Sequence, residues 1–262
     1  MSTIILLLST FLIYIQYIIQ DGASSDQTVK IAESFVQAFA EKEIPFRIIS
    51  QKDQGIYDAM NKARQEAQGE WILYMNAGDF FANGKILSLV SKNECLEMAD
   101  IVYGDVIRRD KDMYLYIKAR TLETMRLGMP FCHQSSFTRR KLLNLFPFSL
   151  QYRICSDYRF YLQMYHEGKK FVYLPMAIAI YDINGISSDA RANRKERLKI
   201  LEEMPVRDEE VIQRVKGWLE QDTRKKFMHE HFWRFIPKKI RQKRRSYLRK
   251  KAGWKTKEEF FG

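Results

Sequence analysis

SQKDQGIYDAMNKARQEAQGEWILYMNAGDFF, residues 50–81, writes a strand end, a turn, a helix and a second strand in one line. After the turn QKDQG, Ile56, Ala59, Met60, Ala63 and Ala67 recur on one helical face, and Gly69 stands where that helix should stop. Residues 71–75, WILYM, are apolar on both faces, which marks a strand buried at the centre of a sheet. The run breaks into Asn76-Ala77-Gly78-Asp79, polar residues and a glycine at the strand's carboxyl end. In open parallel sheets that edge is where ligands sit.

Working outward, the same alternation continues. Upstream, Tyr17 to Gln20 reads as a strand running into Asp21 and the loop DGASSD. Asp26 is placed to cap a helix whose apolar positions are Val29, Ala32, Phe35, Val36 and Phe39, and FRIIS, residues 46–50, is the next strand. Downstream, ADIVYGDV is a strand ending near Asp105, and the stretch from there to Lys141 is mixed and basic. Ser156 to His166 is an amphipathic helix stopped by Gly168, followed by the strand FVYLPMAIAIY. Residues 191–221 read as charged helices with Leu198, Ile200, Leu201, Val211, Ile212, Val215 and Leu219 as their buried stripe. Short apolar runs alternating with helices predict an α/β domain with a mostly parallel sheet flanked by helices.

The chain has 262 residues and a net charge of +12, all of it held in residues 223–262, where 15 Lys and Arg face three acids. The body is neutral, which argues against a nucleic-acid-binding face there. Three cysteines without a C-x-x-C pair offer neither a disulfide frame nor a zinc ribbon, and a reducing, cytoplasmic setting is the expectation. Residues 1–19 carry no charge. They lack a signal peptide's basic start and cleavage site, and their last residues belong to the first clear strand. A membrane anchor, a membrane-dipping segment and a buried soluble segment all stay open.

Acidic and amide groups recur in the loops after strands: Asp21, Asp53, Asn76 with Asp79, and Asp105. Singly, each could be a turn-former or a helix cap. Brought to one sheet edge, they would suit Mg2+ or Mn2+, hard cations that take oxygen ligands and bridge to substrate phosphates. Asp79 is the first choice of ligand. No P-loop and no G-x-G-x-x-G is present to cradle phosphate with backbone alone.

The run from Ser50 to Phe81, joined to DGASSDQT upstream and to YGDV, HQSSFTRR, CSDYRFYLQM and NGISS downstream, resembles family 2 glycosyltransferases of the GT-A, Rossmann-like fold, near the colanic-acid and capsule-type bacterial members. The resemblance covers about residues 17–190. It implies that Asp21 contacts the nucleoside and Asp53 lies beside the donor nucleotide, with Asp58 and Asn61 on one helical face of the donor side. It also implies Asn76 and Asp79 at the metal motif, with Asp79 as ligand under the diphosphate, and Asp105 at the donor sugar. His133 and Gln134 would face the acceptor, and Asp157 would be the base of a single inverting displacement. The partners implied are a nucleotide-diphospho-sugar and a glycan or lipid-linked acceptor of a surface polysaccharide. By itself, Asp157 could equally be a first-turn helix acid favoured by the dipole.

Members of this family open with a strand and a helix before the strand that ends at DGAS. Here, if Ile4 to Leu8 were that first strand, eight residues would remain before Tyr17, too few for a parallel crossover. The first βα unit is therefore expected to be truncated or replaced, and nucleotide binding to be weaker than in relatives that keep it. Four segments result: an atypical hydrophobic stretch, 1–16; the transferase domain, 17–190; a charged helical extension, 191–222; and a basic aromatic helical tail, 223–262. The tail interleaves aromatics and cations and reads as an anchor for an anionic membrane face, with no specific nucleic acid expected. Rival readings are a catalytically impaired partner subunit, an RNA-binding protein and a glycoside hydrolase, the last having no need of a diphosphate-metal site.

Overall fold

A computed structural model of the chain describes residues 3–8, 15–183, 189–232 and 238–261; the motif NGISS, residues 184–188, lies outside them. The first half contains β1 (Thr3–Leu8), β2 (Gln16–Asp21), α1 (Thr28–Glu33), α2 (Val36–Ala40), β3 (Phe46–Ser50), α3 (Ile56–Gln65), β4 (Trp71–Asn76) and β5 (Phe80–Phe81). Then follow α4 (Ile86–Ser91), α5 (Cys95–Met98), β6 (Ile101–Asp110), β7 (Met113–Ile117), β8 (Ser136–Arg139), α6 (Arg140–Leu145), α7 (Ser156–His166) and β9 (Phe171–Asp182). The chain closes with α8 (Ala190–Glu203), α9 (Glu209–Phe232), α10 (Lys238–Lys251), β10 (Lys255–Thr256) and α11 (Lys257–Phe261).

The sheet runs β10-β7-β6-β8-β4-β1-β2-β3, with β9 joined to β6. Strands β3, β2, β4, β6 and β9 all point one way, which is the parallel arrangement expected from the alternation. Antiparallel β1 is inserted between β2 and β4, and antiparallel β8 between β4 and β6. The sheet is therefore mixed, while the carboxyl ends of its main strands still meet at one edge. β1 fills the place questioned from the sequence, in register Thr3↔Gln20 and Leu7↔Gln16 against β2. Only residues 9–15 separate the two strands. A connection that short closes a hairpin and cannot make a parallel crossover, so the strand direction follows from the loop length. Among the described residues no helix is long and apolar enough to cross a membrane.

Packing follows the pleat of β4. Ile72 and Tyr74 join a core with α3, α6, α7, α8 and α9, whereas Trp71, Leu73 and Met75 face the opposite layer, with α4 and α5. Helix α3 buries Tyr57, Ala59, Met60 and Ala63, and it ends at Gln65, before the expected Gly69. Gln16 of β2 explains the early stop, because its amide donates to the Glu66 carbonyl at 3.3 Å and accepts from the Gln68 N–H at 3.0 Å. The Glu66 carbonyl is one of the groups a helix's carboxyl end leaves unsatisfied.

Strand β6 does not end near Asp105. It bulges between Gly104 and Val106, runs on to Asp110 and turns through Lys111 into β7. The tail also departs from a free anchor. β10 pairs with β7, Phe260 and Phe261 pack on Tyr114, and Arg249 forms an ion pair with the buried Asp110.

Candidate active site

The ends of β4, β6 and β9 and the first turns of α3 and α7 surround a cavity of about 630 Å³ whose lining includes Asn76, Asp79, His133, Gln134 and Asp157. Asp79 and Asp157, 78 positions apart in sequence, share one rim.

A relay of side chains crosses this cavity. The Asn76 amide nitrogen lies 3.2 Å from His133 Nε2, and His133 Nδ1 lies 3.0 Å from Asp157 Oδ2. An amide N–H₂ facing Nε2 makes that nitrogen the acceptor, so the ring proton sits on Nδ1 and is donated to Asp157. The other carboxylate oxygen accepts from the Tyr158 N–H at 2.8 Å and the Tyr57 hydroxyl at 2.9 Å. Asp157 stands in the first turn of α7, where the helix dipole also favours its charge. The carboxylate is held by three donors from three elements, and its orientation is fixed before any ligand arrives.

Asp79 hangs from the turn after β4. Its Oδ2 accepts from the Asn76 N–H and from the Gln134 amide, both at 3.1 Å. Burial pushes its carboxyl above the usual range, outweighing the hydrogen bond from Gln134 and the attraction of His133. A carboxylate destabilised in this way gains from a nearby cation. The Asn76 carbonyl oxygen is buried and has no hydrogen-bond partner. A carboxylate and an orphaned amide oxygen on adjoining positions form an oxygen-donor pair that fits a hard divalent ion, which would take its remaining ligands from water and phosphate. Among the described residues no group of three or more His, Cys, Asp and Glu could bind a metal without such help.

Five residues expected at the donor site do not line this cavity. Asp21 is fully buried and accepts from the Ser24 N–H at 2.9 Å, the Ser24 hydroxyl at 2.5 Å and the Ser50 hydroxyl at 2.8 Å. Burial works to raise its carboxyl, but these bonds outweigh it and hold it below the usual range. Asp53 caps Gly55 N–H at 2.9 Å and packs so closely on Gly22 that an added Cβ there would lie 2.4 Å from its Oδ2. The loops after β2 and β3 thus touch, outside the lining of the cavity. Asp58 is held by the Gln54 N–H at 2.9 Å and by Lys62 at 3.0 Å.

Asn61 is a brace. Its amide donates to the Phe148 carbonyl at 2.7 Å and accepts from the Phe148 N–H at 2.9 Å, clamping α3 to the loop before α7. Asp105 is also spoken for: the Tyr116 hydroxyl at 2.6 Å, the Ala119 N–H at 2.8 Å and the Tyr173 hydroxyl at 2.8 Å saturate a carboxylate buried inside β6. The continuation of β6 past Gly104 is what removes Asp105 from the rim. Tyr152, Tyr158 and Tyr161 are buried at 2% exposure or less and belong to the core.

Sequence reading missed Tyr57 and five arginines that line the cavity: Arg108, Arg109, Arg120, Arg153 and Arg197. Arg108 and Arg109 come from the unrecognised end of β6. Arg109 donates to the Gly78 carbonyl at 3.2 Å and pairs with Asp182 at 3.5 Å, and Arg108 donates to the Tyr181 hydroxyl at 2.6 Å. The turn residues Asp110-Lys111-Asp112 between two alternating runs were the available signal. Nothing in the local pattern distinguishes Arg120, Arg153 or Arg197 from surface cations.

The family model for glycosyl transferase family 2 matches residues 7–167, more than half of the chain. The chain belongs to this family. The PGL/p-HBAD biosynthesis glycosyltransferases of Mycobacterium tuberculosis and Mycobacterium bovis are 32% identical over 178 residues, covering 66% of this chain and 68% of theirs. Among solved structures, S. aureus TarS 1–349 in complex with UDP-GlcNAc superposes with a TM-score of 0.55 at 14% identity, over 74% of this chain and 59% of that one. The mannosyltransferase PcManGT from Pyrobaculum calidifontis, in complex with GDP-Man and Mn2+, superposes with a TM-score of 0.53 at 14% identity, over 77% and 59%. This family 2 glycosyltransferase chain has the GT-A fold and spans about three fifths of the length of those solved chains.

Proposed function

We propose that the chain transfers a sugar from a nucleoside-diphosphate donor to a hydroxyl of a glycan or lipid-linked acceptor, with inversion. The observation that carries this reading is the relay Asn76–His133–Asp157 ending in a cavity that Asp79 shares. Family membership supports the transferase class, and two structural neighbours carry UDP-GlcNAc and GDP-Man.

Asp157 accepts the proton of the acceptor hydroxyl as its oxygen bonds to the anomeric carbon. The bond from that carbon to the diphosphate oxygen breaks, and the nucleoside diphosphate leaves with the electron pair. His133 keeps the base oriented, Tyr57 and the Tyr158 N–H hold its other oxygen, and Gln134 fixes Asp79. A divalent ion, Mn2+ or Mg2+, held by Asp79 and the Asn76 carbonyl oxygen would neutralise charge on the departing diphosphate. Arg109, anchored on the Gly78 carbonyl and paired with Asp182, supplies guanidinium N–H donors to the same wall. The nucleoside rests on the loops of Asp21 and Asp53, beside the cavity.

The setting proposed is the inner face of a cell membrane, in surface-polysaccharide assembly. Arg249 pairs with Asp110 and Lys255–Thr256 pair with β7, while Lys250, Lys251 and Lys257 stay exposed, so contact with anionic lipid is assigned to tail cations outside that seam. A glycoside hydrolase needs no oxygen pair of this kind, and the impaired-subunit reading predicts no turnover. A panel of nucleoside-diphospho-sugars screened with Mn2+ for thermal stabilisation tests the donor reading, with donor hydrolysis as the second readout. Stabilisation by one nucleotide class that EDTA abolishes is expected. No stabilisation by any donor overturns the proposal.

A further inference from the structure

Some arginines of the body meet a carboxylate: Arg47 meets Glu66, Arg126 meets Asp208, Arg139 meets Glu70 and Arg194 meets Asp222. Three on the cavity wall beyond Asp157 do not. Arg120, Arg153 and Arg197 line it, and among the described residues none of the three has a carboxylate partner. Arg120 donates to the Met129 carbonyl at 2.6 Å, which positions its guanidinium without neutralising it. Arg197 is half-buried, and its Nε is buried with no hydrogen-bond acceptor. Gly128, at φ +148°, makes room for it: a Cβ there would lie 2.7 Å from Arg197 Nη1, so both the backbone angle and the guanidinium require glycine. Burial lowers the Arg197 pKa, and Arg194 and Arg120 repel its charge further.

Three cations left without counter-charge in one concave wall concentrate positive potential where an anion would enter. Their place in the fold separates them from the donor wall. Arg153 lies one turn of chain before Asp157, and Arg197 faces Cys155 and Tyr158 on either side of it. The donor-side groups Asp79, Asn76 and Arg109 gather instead around the turn after β4.

We propose that Arg120, Arg153 and Arg197 form an oxyanion subsite on the acceptor side of the cavity, so that the acceptor carries a phosphoryl or carboxylate group near the hydroxyl that receives the sugar. This rests on the donor reading above, because it names the other substrate of the same site. Guanidinium forks match both oxyanions with paired N–H donors. The bound anion would fix which hydroxyl reaches Asp157.

The test uses the full chain saturated with Mg2+ and the nucleoside diphosphate selected by the donor screen, which blocks the donor phosphate site. Inorganic phosphate is then titrated at constant ionic strength, with acetate in a parallel arm, and thermal stability and calorimetric Kd are read. Phosphate is expected to bind the loaded protein, and the double variant Arg120→Gln, Arg153→Gln is expected to weaken it about tenfold or more while the nucleotide Kd stays within twofold. A preference for phosphate over acetate assigns a phosphoryl acceptor; the reverse assigns a carboxylate. Absent phosphate binding, or binding equal in the variant, overturns the proposal. Loss of nucleotide affinity in the variant also overturns it, by moving the arginines to the donor. Among the described residues the Arg153 side chain has no partner, so Arg153→Gln alone serves if the double variant does not fold. If no nucleotide binds at all, the donor reading fails, while phosphate titrated on the free protein still reads the arginine wall.

Discussion

Two parts of the sheet edge behave differently. At the β4–α7 part, Asp79, Asn76, His133, Gln134 and Asp157 come from three separate stretches of chain and interlock through side-chain bonds. At the β2–β3 part, Asp21, Asp53 and Asp58 are satisfied by the two loops, the end of β3 and the first turns of α3, beside a strand β1 whose direction is set by a short hairpin. The first part is built to hold chemistry in place. The second is a self-contained platform beside the antiparallel strand β1. Nucleotide affinity and chemical competence should therefore be separable in this chain.

The sharpest break comes from Asp157→Asn. Transfer is expected to fall about a thousandfold, within the range for losing a general base, with nucleotide Kd unchanged by calorimetry. Equal loss of binding and turnover would mean that the two parts act as one.

Asp105→Asn comes next and probes stability. The substitution turns an acceptor that serves three donors into an amide, whose N–H₂ has only donors around it. A loss of about 2–3 kcal/mol is expected in urea unfolding, with donor binding kept by the folded fraction. Selective loss of donor affinity with full stability would return Asp105 to the donor site.

Asp79→Asn should separate stability from function. A carboxyl whose folded pKa is raised binds more protons folded than unfolded, so the ligand-free protein loses stability as pH rises from the unfolded value through the raised one. Metal-dependent donor binding has the opposite sign and strengthens over that window, because it needs the ionised form. The variant should keep or slightly raise its melting temperature, lose that pH slope and bind donor roughly tenfold more weakly, as the loss of one charge-assisted contact implies. A melting temperature lower by several degrees would count against this.

The smallest effect is expected at Gly22→Ala. The new methyl would displace the Asp53 carboxylate, and nucleotide affinity should change by no more than a few-fold while the turnover of bound donor stays constant. A large loss of turnover would couple the platform to the chemistry.

What the sequence made legible follows the same division. The strand WILYM, the helix Ser156–His166 and the polar break at Asn76–Asp79 are local patterns, and each stands where the pattern put it. The main strands do point one way. Antiparallel β1 and β8 were hidden because strand direction depends on loop length and on partners far away in sequence. Asp105 and Asn61 look no different from site residues in one dimension. Only their partners, Tyr116 and Tyr173 in one case and Phe148 in the other, give them structural work. Tyr57 and the arginines were missed for the converse reason: their neighbours at the cavity are up to a hundred positions away.

The return of β10 to β7 bears on how the basic tail can be studied. Strand β7, Met-Tyr-Leu-Tyr-Ile, would be a flat aromatic border open to other chains if the last dozen residues were cut away. Clipping the tail to ask about lipid would then create a sticky margin and could be mistaken for a change in membrane affinity. Charge-reversing substitutions that leave Lys255 and Thr256 laced to Tyr114 and Met113 would ask the same question without unstitching that seam.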